Sequence, residues 1–487
     1  MDGCRPGRDG QLLEHRALSL IAAAVLPIAC TSVTIVDGSP SRHPTRDSAG
    51  DPVENIPGDS AGDSADTAPN PDGPPFDHLP VLIIDTHGGI VDGVKHNADL
   101  EIITLHDGTL ADLDSAPRAY AGPIGIEIHG SSSTGYPKLG YRFECRDDAG
   151  ADINCGLVGL PDASDWVLRA PYADKTYMRD ALAYAFARDV AADGGRWEPH
   201  TQFVELFLDE DYVGVYVLVE RVSREQRRLN LPRTTNIETG KVDGGFIVKV
   251  DQHRSAGFDT ARGSPLDWVE PGTTQVTPAE AAYLLDWFDQ FESMLSGSDF
   301  ADSAAGYSAW IDQDAWVDHW LVNELAHNID AYRLSAYLYV DGPPGAALLR
   351  AGPAWDFDRA WGNCNYCDSW TTADWIYDSL DRCGYAYEYT FWWQRLREDP
   401  SWNSRIESRW QALRAGVLSD DAIVARIEAM QAETAEAEVR DHERWPVIGT
   451  WVDPNVYVGG TWDEEVTWLR DWALERAAWM DAHAGEG

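Results

Sequence analysis

The chain has 487 residues, 81 of them acidic against 38 basic, for a formal net charge of −43. Such a surface repels phosphate backbones and argues against nucleic acid as a partner, while an apolar content of 44 % supplies a large core or more than one. The 21 tryptophans point to heavy aromatic packing, with carbohydrate-stacking platforms as the alternative use.

The chain opens on an export-type segment. Residues 16–30, RALSLIAAAVLPIAC, join a basic flank to an apolar run. That run is too short to span a bilayer and has the length of a signal core. Ala29 before Cys30 resembles a bacterial lipoprotein cleavage site, with Pro27 where leucine is usual. Residues 1–30 therefore read as a signal or lipoprotein-type segment, with lipid on Cys30 as the one membrane attachment and ordinary secretion as the alternative. Residues 31–78 hold Pro, Gly, Ser and Asp and almost no large apolar side chains. They cannot bury enough surface to offset their ordering entropy and read as an acidic, flexible tether. Folding is expected from residue 79 to 487.

Strands dominate early. Residues 80–86, 100–105, 124–130, 141–145 and 165–172 are apolar or alternating runs. Residues 174–191 carry helical spacing with Asp174 as N-cap, and 202–222 read as a hairpin turning at DEDY. Residues 246–251 form another strand. Helical spacing follows over 277–295, 312–330, about 419–444 and 462–483. Strands followed by helices predict an α+β fold, strand-rich over about 79–222 and helical over about 223–487. Cysteine use fits export: Cys145 and Cys155 flank a polar turn that a disulfide would close, and Cys383 is expected to pair with Cys364 or Cys367. The CNYC run resembles half a zinc site without its other half.

Three stretches carry chemistry. GSSSTGYPK, residues 130–138, is a Gly- and Ser-rich turn offering N–H groups and hydroxyls to an anion, with Lys138 beside it. A helix ends at Asp330 and an alternating strand follows. Beyond that strand, AWDFDRAWGN (354–363) holds Asp356 and Asp358 within an apolar stretch. An aspartate, a polar residue five places on, and a later Asp-Phe-Asp is the order of a kinase catalytic centre. The bland alternatives are a helix cap at Asp330 and an ion pair of the later aspartates with Arg359.

From about residue 79 the chain resembles the spore-coat-protein CotH kinase family. The motifs are IEIHGSSSTGYPKLGYRFE, DWVLRAPYADKTYMRDALAYAFA, VELFLDEDYVGVYVLVERV, GGFIVKVD, NELAHNIDAYRLSAYLY and GPAWDFDRAWGN, in family order. The resemblance implies an atypical protein-kinase-like fold of two lobes over 79–487. It also implies transfer of phosphate from ATP to protein Ser or Thr, and surface or secreted placement.

Carried over by position, Asp330 matches the catalytic aspartate. Asp356 matches the aspartate that holds Mg²⁺ or Mn²⁺, Asp358 replaces a glycine and adds a carboxylate to the ion, and Ser335 falls where kinases place a metal-binding asparagine, with Asn328 as its substitute. Lys138 is the first choice for a phosphate contact, Arg169 at the end of DWVLRA the second and Arg142 the third. Glu220 ends the strand before the presumed hinge and is expected near adenine, or else paired with Arg221 or Arg224. The acidic surface favours a basic Ser- or Thr-containing acceptor, with Ser223 in RVSREQRRLN as an internal candidate. An adhesin or coat-assembly protein using the same fold without catalysis is the rival reading.

Overall fold

The computed structural model describes residues 79–104, 110–235, 242–252, 257–343, 345–384 and 390–486. The expected signal segment, the tether and Cys30 lie outside the described residues. Strands β1 (Val81–Asp85), β2 (His96–Ile103), β3 (Tyr120–His129), β4 (Gly140–Cys145), β5 (Asp165–Arg169), β6 (Thr201–Leu208) and β7 (Asp211–Glu220) close into a barrel in the order β1-β2-β3-β4-β5-β7-β6. Every neighbouring pair is antiparallel except the closing pair β1–β6, which runs parallel with Val81 opposite Glu205. Residues two apart fill the barrel: Leu82 and Ile84, Leu100 and Ile102, Ile124 and Ile126, Trp166 and Leu168, Val204 and Leu206, Tyr216 and Leu218. The alternate residues Val167, Phe203, Val217 and Val219 belong to a second, larger core shared with the helices. The barrel is thus covered on its β5–β7–β6 side, and those strands read as nearly continuous apolar runs.

Helix α1 (Leu110–Ser115) joins β2 to β3, and α2 (Arg179–Ala191) follows β5. Helix α2 starts later than expected, yet Asp174 still serves its first turn, accepting from the Arg179 amide at 2.9 Å and from the Arg179 guanidinium at 2.5 Å. A second sheet runs β12-β11-β8-β10-β9. Its strands are β8 (Phe246–Val250), β9 (Gly257–Asp259), β10 (Pro265–Glu270), β11 (Ala336–Val340) and β12 (Leu349–Ala351). The helical half therefore holds a sheet of its own, assembled from strands on either side of two helices. Those helices are α3 (Pro278–Ser296) and α4 (Gln313–Ala326), followed after β12 by α5 (Ile376–Arg382), α6 (Trp392–Arg397), α7 (Pro400–Arg414), α8 (Asp420–Thr434), α9 (Ala437–Arg444) and α10 (Trp462–His483).

The helix starts are written in the sequence. Thr277 and Glu280 form a capping box on α3 with Pro278 in its first turn, and the Asp312 carboxylate caps α4. Trp316, Trp320, Trp361, Trp392, Trp402 and Trp410 are fully buried, so these rings are core. Disulfides join Cys145 to Cys155 and Cys367 to Cys383, leaving Cys364 as a buried thiol. Among the described residues no helix is long and apolar enough to cross a membrane.

Candidate active site

A cleft of about 960 Å³ opens between the barrel and the helical half. Its barrel wall is the end of β3 with His129, the Gly130–Ser133 turn, Arg142 on β4 and Arg169 at the end of β5. Its other wall carries Asp330 in the loop after α4, Ser335 just before β11, and Asp356, Asp358 and Arg359 after β12. Residues more than two hundred positions apart in the chain thus face one space.

Arg169 is the hub. Its Nε donates to Asp180 Oδ2 at 2.9 Å and its Nη2 to Asp356 Oδ1 at 2.5 Å, with Asp358 Oδ1 at 3.8 Å. Asp180, in the first turn of α2, also accepts from the Phe357 amide at 2.7 Å, while the Asp356 amide donates to the Tyr184 hydroxyl at 3.1 Å. Helix α2 thereby grips the Asp-Phe-Asp loop by two backbone groups. Asp180 was not singled out in the sequence, because an acid in a first helical turn reads as a complement to the helix dipole. The usable signal was its position: the first helix after a strand ending in arginine.

Electrostatics separate the carboxylates. Burial would raise the Asp356 carboxyl, but the Arg169 guanidinium outweighs it and holds the group below its usual range. Burial and the neighbouring Asp356 push Asp358 up to about 7. Burial also raises Asp330, against the pull of Arg333, whose Nη2 donates to Asp330 Oδ1 at 2.7 Å. Burial and the Arg169 charge lower His129 to about 3, so its ring stays neutral. Asp356 and Ser335 both hold left-handed backbone, φ 68° and 51°, and Ser335 Oγ donates to Asp356 Oδ2 at 3.2 Å. Such strain concentrates where geometry is imposed by function.

Two expected cofactor contacts lie elsewhere. Lys138 is fully buried with its Nζ 2.6 Å from Asp441 Oδ1 on α9, over the rings of Tyr177 and Tyr216. It follows the Gly/Ser turn in sequence but points away from the cleft, so the phosphate contact expected of it is withdrawn. Glu220 is likewise wholly buried, and its Oε2 accepts from the His200 amide at 2.9 Å and meets His200 Nδ1 at 2.7 Å. Neither the adenine position nor the pairing with Arg221 or Arg224 holds. Arg142 lines the cleft with its Nε 2.8 Å from Glu127. Asn328 is a brace: its Oδ1 accepts from the Asp330 amide at 3.1 Å and its Nδ2 donates to the Asp356 carbonyl at 3.2 Å. Ser223 is buried, with its hydroxyl accepting from the Glu225 amide, which removes it as an accessible acceptor.

Besides the His129 ring, the metal-type donors facing the cleft are carboxylate and hydroxyl oxygens. Among the described residues no group of three or more His, Cys, Asp or Glu side chains converges as a metal cage. Asp356, Asp358 and the Ser335 hydroxyl instead form a partial set, and Mg²⁺ is commonly held that way, by one or two carboxylates with water and substrate phosphates completing the shell. The residues fit that cation.

Paired acids and an arginine–aspartate bridge thus face one polar cleft of an α+β protein. The sequence profile described as CotH kinase protein matches residues 126–480, and the chain belongs to that family. No curated protein matches the sequence significantly.

Proposed function

We propose that the protein is a kinase-like phosphotransferase of two lobes, barrel and helical, that moves the γ-phosphoryl group of ATP to a serine or threonine of an exported or surface protein. The observation that carries this reading is the meeting of Asp330, Asp356 and the Arg169–Asp180 bridge on one cleft. The bridge joins a strand cation, Arg169, to an acid on the next helix, Asp180, and the Lys–Glu pair of protein kinases likewise joins a strand to a helix. Asp356 and Asp358, with Ser335, would hold Mg²⁺ or Mn²⁺, which when bound neutralises phosphate charge.

Asp330 receives the proton of the acceptor hydroxyl on its carboxylate. The acceptor oxygen forms the new bond to Pγ, the bond from Pγ to the bridging oxygen breaks, and its electron pair leaves with ADP. Asn328 keeps Asp330 and Asp356 in fixed relation by bonding the backbone of each. Arg169 and Asp180 set the direction of the Asp356 carboxylate. The acidic exterior favours acceptors flanked by Lys or Arg, and the disulfides suit an oxidising compartment in which a tether lipidated at Cys30 would hold the enzyme to the envelope.

A non-catalytic binding protein is the second reading, favoured by Ser335 standing where an asparagine is usual and by Arg169 occupying Asp356. Calorimetry separates the two. The kinase reading expects ATP binding that requires Mg²⁺ or Mn²⁺ and weakens in Asp356→Ala. Absence of metal-dependent nucleotide binding in the unaltered protein selects the binding-protein reading.

A further inference from the structure

Five Lys or Arg side chains line the cleft: Arg142, Arg169, Lys249, Arg333 and Arg359. Four of them meet a carboxylate directly. Arg142 meets Glu127 at 2.8 Å, Arg169 meets Asp180 at 2.9 Å, Arg333 meets Asp330 at 2.7 Å, and Lys249 meets Asp251. Arg359 differs. Among the described residues its guanidinium has no carboxylate at salt-bridge distance. Its contacts are two neutral hydroxyls: Nη1 donates to Tyr366 Oη at 2.8 Å and Nη2 to Ser132 Oγ at 3.0 Å. Acids outnumber bases 81 to 38 in this chain, so a half-buried cation without an ion-pair partner stands out. A fork of N–H donors that meets only neutral hydroxyls matches phosphate oxygens.

Its position narrows the ligand. Arg359 follows Asp358 directly, and through Ser132, 227 positions away in the chain, it spans from the aspartate loop to the Gly/Ser turn. Asp330 and Asp358 act on it at longer range and, against burial, keep its charge fixed. A phosphoryl group leaving a nucleotide for an acceptor near Asp330 would pass between these two walls.

We propose that Arg359 contacts the γ-phosphoryl group during transfer, exchanging the Ser132 hydroxyl for phosphoryl oxygens and stabilising the charge spread over them. This assignment rests on the kinase reading. Arg359 only exchanges hydrogen bonds and keeps all its protons; the bonds made and broken are those already given. The competing role is a static strap that ties the turn to the loop.

The test compares unaltered protein, Arg359→Met and Arg359→Lys, using ADP with Mg²⁺, with and without aluminium fluoride as a planar phosphoryl mimic, and using steady-state transfer from ATP. The unaltered protein should bind ADP about 10²-fold or more tighter with the fluoride present. Arg359→Met should bind ADP alone within about threefold of normal, lose the fluoride enhancement, and drop kcat by about 10³-fold with KM for ATP little changed. Arg359→Lys should regain part of kcat. Retention of the fluoride enhancement in Arg359→Met overturns the assignment alone. So does a joint loss of ADP affinity and melting temperature, which marks a strap. Absence of nucleotide binding in the unaltered protein overturns the kinase reading and this assignment with it.

Discussion

Replacing Asp441 by alanine removes the partner of an ammonium group with no exposed surface. Lys138 Nζ lies 2.6 Å from Asp441 Oδ1, and the two side chains are 0 % and 2 % exposed. The same oxygen accepts from the Val215 amide at 2.7 Å. Breaking one side of a buried pair leaves an uncompensated charge, and the Val215 N–H loses its acceptor as well. Together these should cost about 4 kcal/mol of folding stability, a large share of a typical total of about 5–15 kcal/mol. Burial already lowers the Lys138 ammonium from its ordinary range, against the pull of Asp441, so part of the loss is relieved by deprotonation. Lys138→Met keeps the length and drops the charge. Asp441 then retains Val215 but loses its counter-charge, and the cost falls to about 3 kcal/mol. The double variant should be more stable than Asp441→Ala alone, because the two changes share one interaction. Gly214 supports the same geometry: at φ 103° a Cβ there would stand 2.0 Å from Asp441 Oδ1. The assay is urea unfolding of the three variants beside calorimetric ATP–Mg²⁺ affinity. Asp441→Ala should be the least stable of the three, with affinity unchanged in all. Lys138→Met that folds normally but binds ATP about tenfold more weakly would return Lys138 to the phosphates and refute the placement.

Other outcomes follow from the same contacts. Asp180→Asn keeps the shape but leaves Arg169 short of a charge, and should weaken ATP–Mg²⁺ binding by about tenfold or more while lowering stability by about 2 kcal/mol, read by calorimetry and urea unfolding. Burial pushes Glu198 up to about 7 from an ordinary 4.5, against its bond from the Ala354 amide. The folded chain therefore holds a proton that the unfolded chain has released, and this contribution is full below 4.5 and is lost as pH rises toward 7. Between about pH 5 and about pH 8 the unaltered protein should lose about 1 kcal/mol or more relative to Glu198→Gln, measured by urea midpoints; parallel profiles would contradict this. Cys145→Ser should cost about 2–3 kcal/mol by opening its ten-residue loop, and non-reducing peptide mapping of the unaltered protein should recover Cys145 linked to Cys155. On peptide arrays, basic flanks should raise transfer at low salt and lose that advantage at high salt; salt-independent transfer to acidic and basic sets alike would leave shape as the filter.

Local chemistry was legible and long-range pairing was not. Thr277 and Glu280 announce the start of α3 by spacing alone. The DEDY turn announces the β6–β7 hairpin, and Asp209 and Glu210 there hold φ 50° and 69°. Asp330, Ser335, Asp356 and Asp358 could be named from their order along the chain, and they do line one cleft. Lys138 was misassigned because nearness to the Gly/Ser turn stood in for direction. Its partner Asp441 lies 303 positions away, and no local pattern encodes that meeting. Glu220 failed for a like reason, since burial against His200 depends on the β6–β7 pairing. The parallel β1–β6 closure of the barrel is also non-local. Strands β9 and β12 have three residues each, too few to show alternation. Arg359 was weighed as a partner for the aspartates, and the structure gives it hydroxyls instead.

The central claim is phosphoryl transfer that depends on Asp330. Purified protein is incubated with γ-labelled ATP, Mg²⁺ or Mn²⁺, and a basic serine-rich protein, beside an Asp330→Ala variant shown to bind ATP–Mg²⁺ normally. Label on serine or threonine of the acceptor, reduced by about 10²-fold or more in the variant, is the predicted result. Equal labelling by both proteins, or none by the unaltered protein while it binds ATP–Mg²⁺, contradicts the claim.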